Sequence, residues 1–182
     1  LAMADVNGDG RMDILLGSGT GVLLLNTPKG FVASKDCGIS YTPARAAPVF
    51  GDYNGDGHPD LFVAQKGICK LFKNDGHGKF TDVAGASGAL AAPIGWATSA
   101  VWVDFDRDGR LDLFVGCLKG PNRYFRGQAN GTFKDASEAV GLMYRMYNTG
   151  SLAIADINTD AMPDLVFNNE GQAAVVLLGN AS

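Results

Sequence analysis

The sequence predicts an all-β fold made of β-propeller blades: four repeats of about four antiparallel strands, the last repeat incomplete. Three observations predict it. Gly supplies 25 of 182 residues, about twice ordinary usage, while charged residues reach only 19%, a balance that favours turns and strands over a helical bundle. Four nine-residue windows hold 13 of the 19 acidic residues. Their starts, Asp5, Asp52, Asp104 and Asp156, lie 47, 52 and 52 residues apart, and self-similarity at such a period marks a repeat architecture. With 46% hydrophobic residues the chain can bury a sizeable core. Residues 1–182 are expected to form one repeat domain, with blades over about 1–40, 41–92, 93–144 and 145–182.

Each blade follows from its apolar runs and turns. Strand one precedes each acidic window, over 1–4, 47–51, 99–103 and 151–155. Strand two follows it as a short run rich in β formers, over 14–16, 61–63, 113–115 and 165–167. Strand three comes after a small turn, over 22–25, 68–72, 123–125 and 174–178. A hairpin leads to strand four over 30–32, 78–83 and 131–136, and the turn at 74–78 has the Asn and Gly content that tight hairpins require. The fourth repeat has no such segment after Gly179. Four antiparallel strands per repeat make a propeller blade.

The windows carry the chemistry. They place Asp5, Asn7, Asp9, Arg11 and Asp13 in the first repeat, and Asp52, Asn54, Asp56, His58 and Asp60 in the second. The third has Asp104, Asp106, Asp108, Arg110 and Asp112, and the fourth Asp156, Asn158, Asp160, Met162 and Asp164. Side-chain oxygens at positions 1, 3, 5 and 9, with a backbone carbonyl at 7, converge on one point if the chain turns sharply at position 6. That cage suits Ca²⁺, which takes 6–8 oxygens in irregular geometry, better than Mg²⁺, which keeps its waters. Without an ion, neighbouring carboxylates would repel by up to ~4 kcal/mol per close pair. An EF-hand opens the same way but needs a bidentate Glu at position 12, where this chain has Leu16, Val63, Val115 and Phe167. Up to four Ca²⁺ are expected, one per repeat. The fourth should bind most weakly, because Ala161 replaces the Gly that a positive φ at position 6 favours.

The D-x-N/D-x-D-G-x-x-D windows, Phe50-Gly51 before one of them, and the G-x-F-x-D segments at Gly78 and Gly131 resemble the FG-GAP/VCBS repeats of integrin α-subunit-type β-propellers, especially the cartilage-acidic-protein and ASPIC/UnbV-like branch. The resemblance implies that each window joins strands one and two and binds one Ca²⁺ at the rim of its blade. It also implies rings that usually close with seven blades, whereas four repeats are present. A fragment of a larger ring, a four-bladed ring, and a protomer completed by a neighbouring chain all remain open. The chain begins at Leu1 without an initiator Met or leader, as a processed product or an excised piece would.

Loops after strands one and three leave a blade at one face, and those after strands two and four at the other. The second face would carry segments 41–45, 94–96 and 143–147 and turns 65–67, 119–122 and 169–171, whose aromatics, arginines and amides suit protein or glycan contact. Trp96, Tyr144 and Tyr147 could equally pack between blades. Trp102, inside strand one, is expected to pack. Two isolated histidines, His58 and His77, and the absence of H-E-x-x-H, G-x-S-x-G, P-loop and dinucleotide patterns point away from an enzyme. The turn at 17–19 is no nucleophile site, and carboxylates held as ligands cannot also act as acid and base.

The net charge of −4 excludes a general basic footprint for nucleic acid, and no apolar run approaches the ~18 residues of a membrane span. Four Ca²⁺ would shift that charge to +4, and Lys66, Lys70, Lys73, Lys119, Arg123 and Arg126 could then favour acidic partners. Cys37, Cys69 and Cys117 have neither disulfide-framework nor metal spacing. Asn130 and Asn180 open N-glycosylation patterns. The expectation is an extracellular or cell-surface calcium-binding module for adhesion or protein and glycan recognition. The alternatives are a structural protomer of an extracellular fibre or sheath, a homo-oligomer or filament assembling through the open terminal strand edge of the incomplete last blade, and an accessory part of a secreted polysaccharide-active enzyme.

Overall fold

The computed structural model describes residues 1–17, 19–42 and 47–179. Segment 43–46, Ser18 and the second glycosylation pattern at Asn180 lie outside the described residues. Among the described residues the fold is all-β apart from three short 3-10 turns. Blade one comprises β1 (Ala2–Ala4), β2 (Asp13–Leu16), β3 (Val22–Thr27) and β4 (Gly30–Ala33), hydrogen-bonded in that order. Blade two comprises β5 (Ala47–Gly51), β6 (Asp60–Ala64), β7 (Lys66–Gly67), β8 (Lys70–Asn74) and β9 (Phe80–Asp82), with β5-β6-β8-β9 as its sheet. Blade three comprises β10 (Gly95–Val103), β11 (Asp112–Gly120), β12 (Arg123–Gly127) and β13 (Phe133–Asp135). Blade four comprises β14 (Tyr147–Ala155), β15 (Asp164–Asn169) and β16 (Val175–Leu177).

All pairings between these named strands are antiparallel. Strand two is buried on both faces in the middle blades, which is why Leu61-Phe62-Val63 and Leu113-Phe114-Val115 are uninterrupted apolar runs. The same kind of run in β2 is buried only at alternate residues, because one face of blade one, bearing Met3, Ile14, Leu16 and Val22, has no sheet against it among the described residues.

Three apolar clusters fill the spaces between successive blades. Leu15, Leu23, Leu61, Val63 and Phe72 join blades one and two. Phe62, Leu71, Leu113, Val115 and Phe133 join two and three. Phe114, Tyr124, Leu165 and Phe167 join three and four. Trp102 packs in the second interface as expected, with ring centroids 6.3 Å from Tyr53, 6.1 Å from Phe62 and 5.8 Å from Phe133.

Two strands run further than their sequence suggests. β10 and β14 begin four residues before the expected starts at Ser99 and Ser151. The extra residues pair with neighbouring blades: β10 with β7 at Gly95 and Trp96, and β14 with β11 at Tyr147 and Asn148. Blades two, three and four are thereby stitched together at the end opposite the aspartate turns.

Candidate metal centres

The four aspartate turns connect β1 to β2, β5 to β6, β10 to β11 and β14 to β15, and all four share one backbone design. The first Asp accepts two backbone N–H groups across the turn. Asp5 takes those of Asp9 and Gly10 at 3.1 and 2.7 Å, and Asp52 those of Asp56 and Gly57 at 3.0 and 2.8 Å. Asp104 takes those of Asp108 and Gly109 at 3.0 Å each, and Asp156 those of Asp160 and Ala161 at 3.1 and 2.9 Å. The position-3 oxygen of Asn7, Asn54, Asp106 or Asn158 accepts the same position-5 N–H at 2.9–3.2 Å. The position-5 carboxylate accepts the N–H of Arg11, His58, Arg110 or Met162 at 2.8–3.1 Å. Positions 1, 3 and 5 are thus wrapped around a common centre.

Asp104, Asp106 and Asp108 each bring a carboxylate oxygen within 4.8 Å of the others. In the remaining turns Asn replaces the middle acid, so two carboxylates and an amide oxygen take those places.

Position 9 is built differently. Asp13, Asp60, Asp112 and Asp164 are fully buried. One oxygen of each accepts an N–H at the end of strand three or just beyond: Asn26, Asn74, Gly127 or Gly179, each at 2.8 Å. In three turns the other oxygen accepts the position-2 N–H, from Val6, Phe105 or Ile157. In the second turn Tyr53 donates its N–H to Gly51 instead, leaving Asp60 Oδ2 buried without a hydrogen-bond partner. Position 9 therefore latches the turn to strand three, a role its place in the spacing does not announce.

Electrostatics follow this geometry. Burial, with Asp56 and Asp52 close by, pushes the Asp60 carboxyl up to about 7 against the Asn74 N–H. Burial likewise raises Asp112. At Asp5 desolvation is outweighed by backbone N–H groups, led by Gly10, and at Asp56 by the His58 N–H and Lys73, so both sit below the usual carboxylate range. Asp164 is lowered chiefly by the Ile157 N–H.

Basic side chains also meet the turns. Arg11 pairs with Asp9 and Arg110 with Asp108, while each Nε reaches a strand-three carbonyl, Asn26 or Gly127. Lys73 lies 3.3 Å from Asp56, and Arg126 pairs with Asp106 and Asp108. The position-7 side chain thus braces the turn, a function beyond the carbonyl read from spacing. Its signal was an arginine recurring at one position in two repeats. His58 braces in another way, its ring filling the space beside Gly76 in the hairpin. Of the six cations expected to attract acidic partners, Lys70, Lys73, Arg123 and Arg126 are engaged by the chain's own carboxylates, and Lys66 lies over Trp96.

The other expected surface groups divide. Tyr147 is buried against Phe167, with ring centroids 5.7 Å apart, whereas Tyr144 is 73% exposed and donates its hydroxyl to Glu138. Asn130 is exposed, its side-chain oxygen accepting from Thr132. The three cysteines are free and buried.

Antiparallel blades, three of four core strands and a last one of three, that each open on an oxygen-lined turn define a β-propeller repeat module. The chain belongs to the FG-GAP-like repeat family, whose model matches residues 5–63, 52–115 and 108–167. Cartilage acidic protein 1 of Xenopus tropicalis is 28% identical over 131 residues, covering 71% of this chain and 20% of that protein. Cartilage acidic protein 1 of Mus musculus is 36% identical over 58 residues, covering 32% and 9%. The chain spans a fifth or less of these relatives' length.

Among solved structures, a lectin of Agrocybe aegerita that recognises non-reducing terminal N-acetylglucosamine is similar with a TM-score of 0.59 and 19% identity, over 99% of this chain and 52% of that one. The V. cholerae biofilm matrix protein Bap1 is similar with a TM-score of 0.51 and 17% identity, over 99% and 28%. At these identities the likeness is one of fold. Among the described residues, no helix is long and apolar enough to cross a membrane.

Proposed function

We propose that this chain is an extracellular calcium-binding recognition module, one repeat domain in which the ion stiffens each blade and takes no part in bond chemistry. The observation that carries the metal is Asp60. A buried carboxylate oxygen without a donor costs free energy, and it lies in a turn that also gathers the oxygens of Asp52, Asn54 and Asp56. The donor set is hard oxygen throughout, as Ca²⁺ prefers. The side chains of Asp52, Asn54, Asp56 and Asp60 with the carbonyl of His58 would hold one ion. The matching residues of the other turns would hold theirs, including the Asp104, Asp106 and Asp108 cluster.

Recognition is supported by the fold shared with a sugar-binding lectin and a biofilm matrix protein. We read the module as one that acts by binding, in keeping with the FG-GAP-like repeat family to which it belongs. Extracellular modules often bind Ca²⁺ at 10⁻⁴–10⁻³ M, which matches a compartment rich in the ion.

Thermal unfolding in excess Ca²⁺ and in EGTA tests this. Tenfold excess over Kd contributes roughly 1.4 kcal/mol per independent site, so the melting temperature is expected to fall clearly on chelation. Identical melting curves would remove the structural metal.

A second reading, a fibre or sheath protomer built from copies of this chain, is favoured by one observation. The edge strand β4 is exposed along its whole length with Phe31 and Val32 uncovered, and such an edge templates pairing. A sedimentation profile that stays monomeric at all concentrations would exclude it.

A further inference from the structure

We infer that the end of the molecule opposite the aspartate turns carries a saccharide-binding cleft centred on Trp96. This names the ligand class for the recognition half of the reading above and rests on it, while being independent of the metal.

The observation is a row of residues laid across three blades. Lys66 pairs with Trp96 between β7 and β10, Trp96 with Leu118 between β10 and β11, and Leu118 with Asn148 between β11 and β14. The Glu170 N–H then donates to the Asn148 carbonyl at 2.7 Å. Directly opposed residues of antiparallel strands place their side chains on one side of the sheet. At roughly 4.8 Å per strand the row from Lys66 to Asn148 runs about 14 Å, the length of a short oligosaccharide. Backbone hydrogen bonds hold the row, so it presents a rigid platform.

Over this row lies a cleft of about 430 Å³ lined by Trp96, Leu118, Lys119, Asn148 and Glu170, within the range of small-molecule sites. Trp96 remains 38% exposed, and the Lys66 ammonium sits 5.2 Å from its ring centroid, fixing the indole from one side. Asn148 accepts the Lys119 N–H through Oδ1 at 3.1 Å, leaving its amide nitrogen to donate.

Lys119 has a φ of 55° at a break in the register between Leu118 and Gly120. A non-glycine residue in that conformation is strained, and bulges re-aim side chains beside binding sites. A pyranose offers a flat C–H face ringed by hydroxyl groups. An exposed indole edged by the Lys66 ammonium and the Asn148 amide matches both parts. Glu170 and Lys119 on the same rim give a mixed charge that disfavours a polyanion.

The chain has two tryptophans, so isotope-labelled, calcium-loaded protein gives two indole Nε1–H signals, one from the cleft and one from packed Trp102. The probes are chitobiose, cellobiose, maltose and lactose. At least one is expected to move the Trp96 signal saturably while Trp102 stays fixed. Trp96→Ala should weaken retention on the matching immobilised sugar at least about tenfold. Lys119→Gly should raise the melting temperature by relieving the backbone yet weaken the same binding, a combination that a purely structural lysine would not produce. Silence of the Trp96 signal with all four sugars, or equal movement of both signals, overturns the cleft. Calcium-dependent melting stands or falls separately, so loss of one conclusion is distinguishable from loss of the other.

Discussion

At the scale of single residues, the aspartate turns demand left-handed backbone at two positions. Position 6 has φ of 82°, 86°, 84° and 63° at Gly10, Gly57, Gly109 and Ala161. Position 4 also has positive φ, at Gly8, Gly55, Arg107 and Thr159. The fourth turn therefore holds two non-glycine residues in a conformation that disfavours a Cβ, and the β-branched Thr159 is the worse placed. Thr159→Gly and Ala161→Gly should each stabilise the fold by about 1 kcal/mol, seen as a higher urea midpoint in EGTA. Gly8→Ala should move it the other way.

Burial sets the thiols as well, raising Cys69 to about 11 and Cys117 to about 12. Because the thiolate is the nucleophile, neither should be alkylated by iodoacetamide in the native protein at pH 8, and both should react on unfolding. Fast native labelling of either, located by peptide mass, would contradict their placement.

At the scale of elements, the blade is a strand pair closed by its turn and latched to strand three through the buried position-9 carboxylate. Blades then meet closely enough that particular positions admit no side chain. A Cβ on Gly51, the last residue of β5, would lie 2.5 Å from Trp102 Cδ1 on the next blade. Phe50 packs toward blade one while Gly51 clears room for Trp102, which gives the Phe-Gly pair a physical meaning. Gly51→Ala should destabilise by about 1–3 kcal/mol through overpacking, read as a lower urea midpoint. Combining it with Trp102→Phe should recover part of the loss, since the indole is the group it strikes.

At the scale of the whole molecule, cohesion is uneven. Blades two to four share backbone pairing through β7–β10 and β11–β14. Blade one joins blade two through the apolar cluster, the Asn74 side chain donating to the Val6 carbonyl at 2.9 Å, and the Phe80 N–H donating to Cys37 at 2.7 Å. Amides bonded within buried strands exchange only on large openings. Hydrogen exchange should accordingly be slowest in β6 and β11 and fastest in β4, whose four residues are all exposed. Uniform exchange across the four blades would contradict this gradient.

Much of this was legible in the chain itself. A central strand buried on both faces needs an unbroken apolar run, so residues 61–63 and 113–115 announced themselves. The turn geometry was legible because the acids, amides and glycines recur at fixed intervals, and a tight turn can bring such residues together without help from the rest of the fold. The early halves of β10 and β14 were not, because they include Gly95 and Asn148, which have weak strand preference and become strand by pairing with another blade. The same holds for the division between buried Tyr147 and exposed Tyr144, for the latching role of position 9, and for the line from Lys66 to Asn148. Local spacing determined the strands and turns, since those depend on residues a few positions apart. Which side chains face each other across blades was decided by tertiary packing, because it joins residues about thirty positions apart, such as Lys66 with Trp96 and Leu118 with Asn148, whose meeting no local pattern encodes.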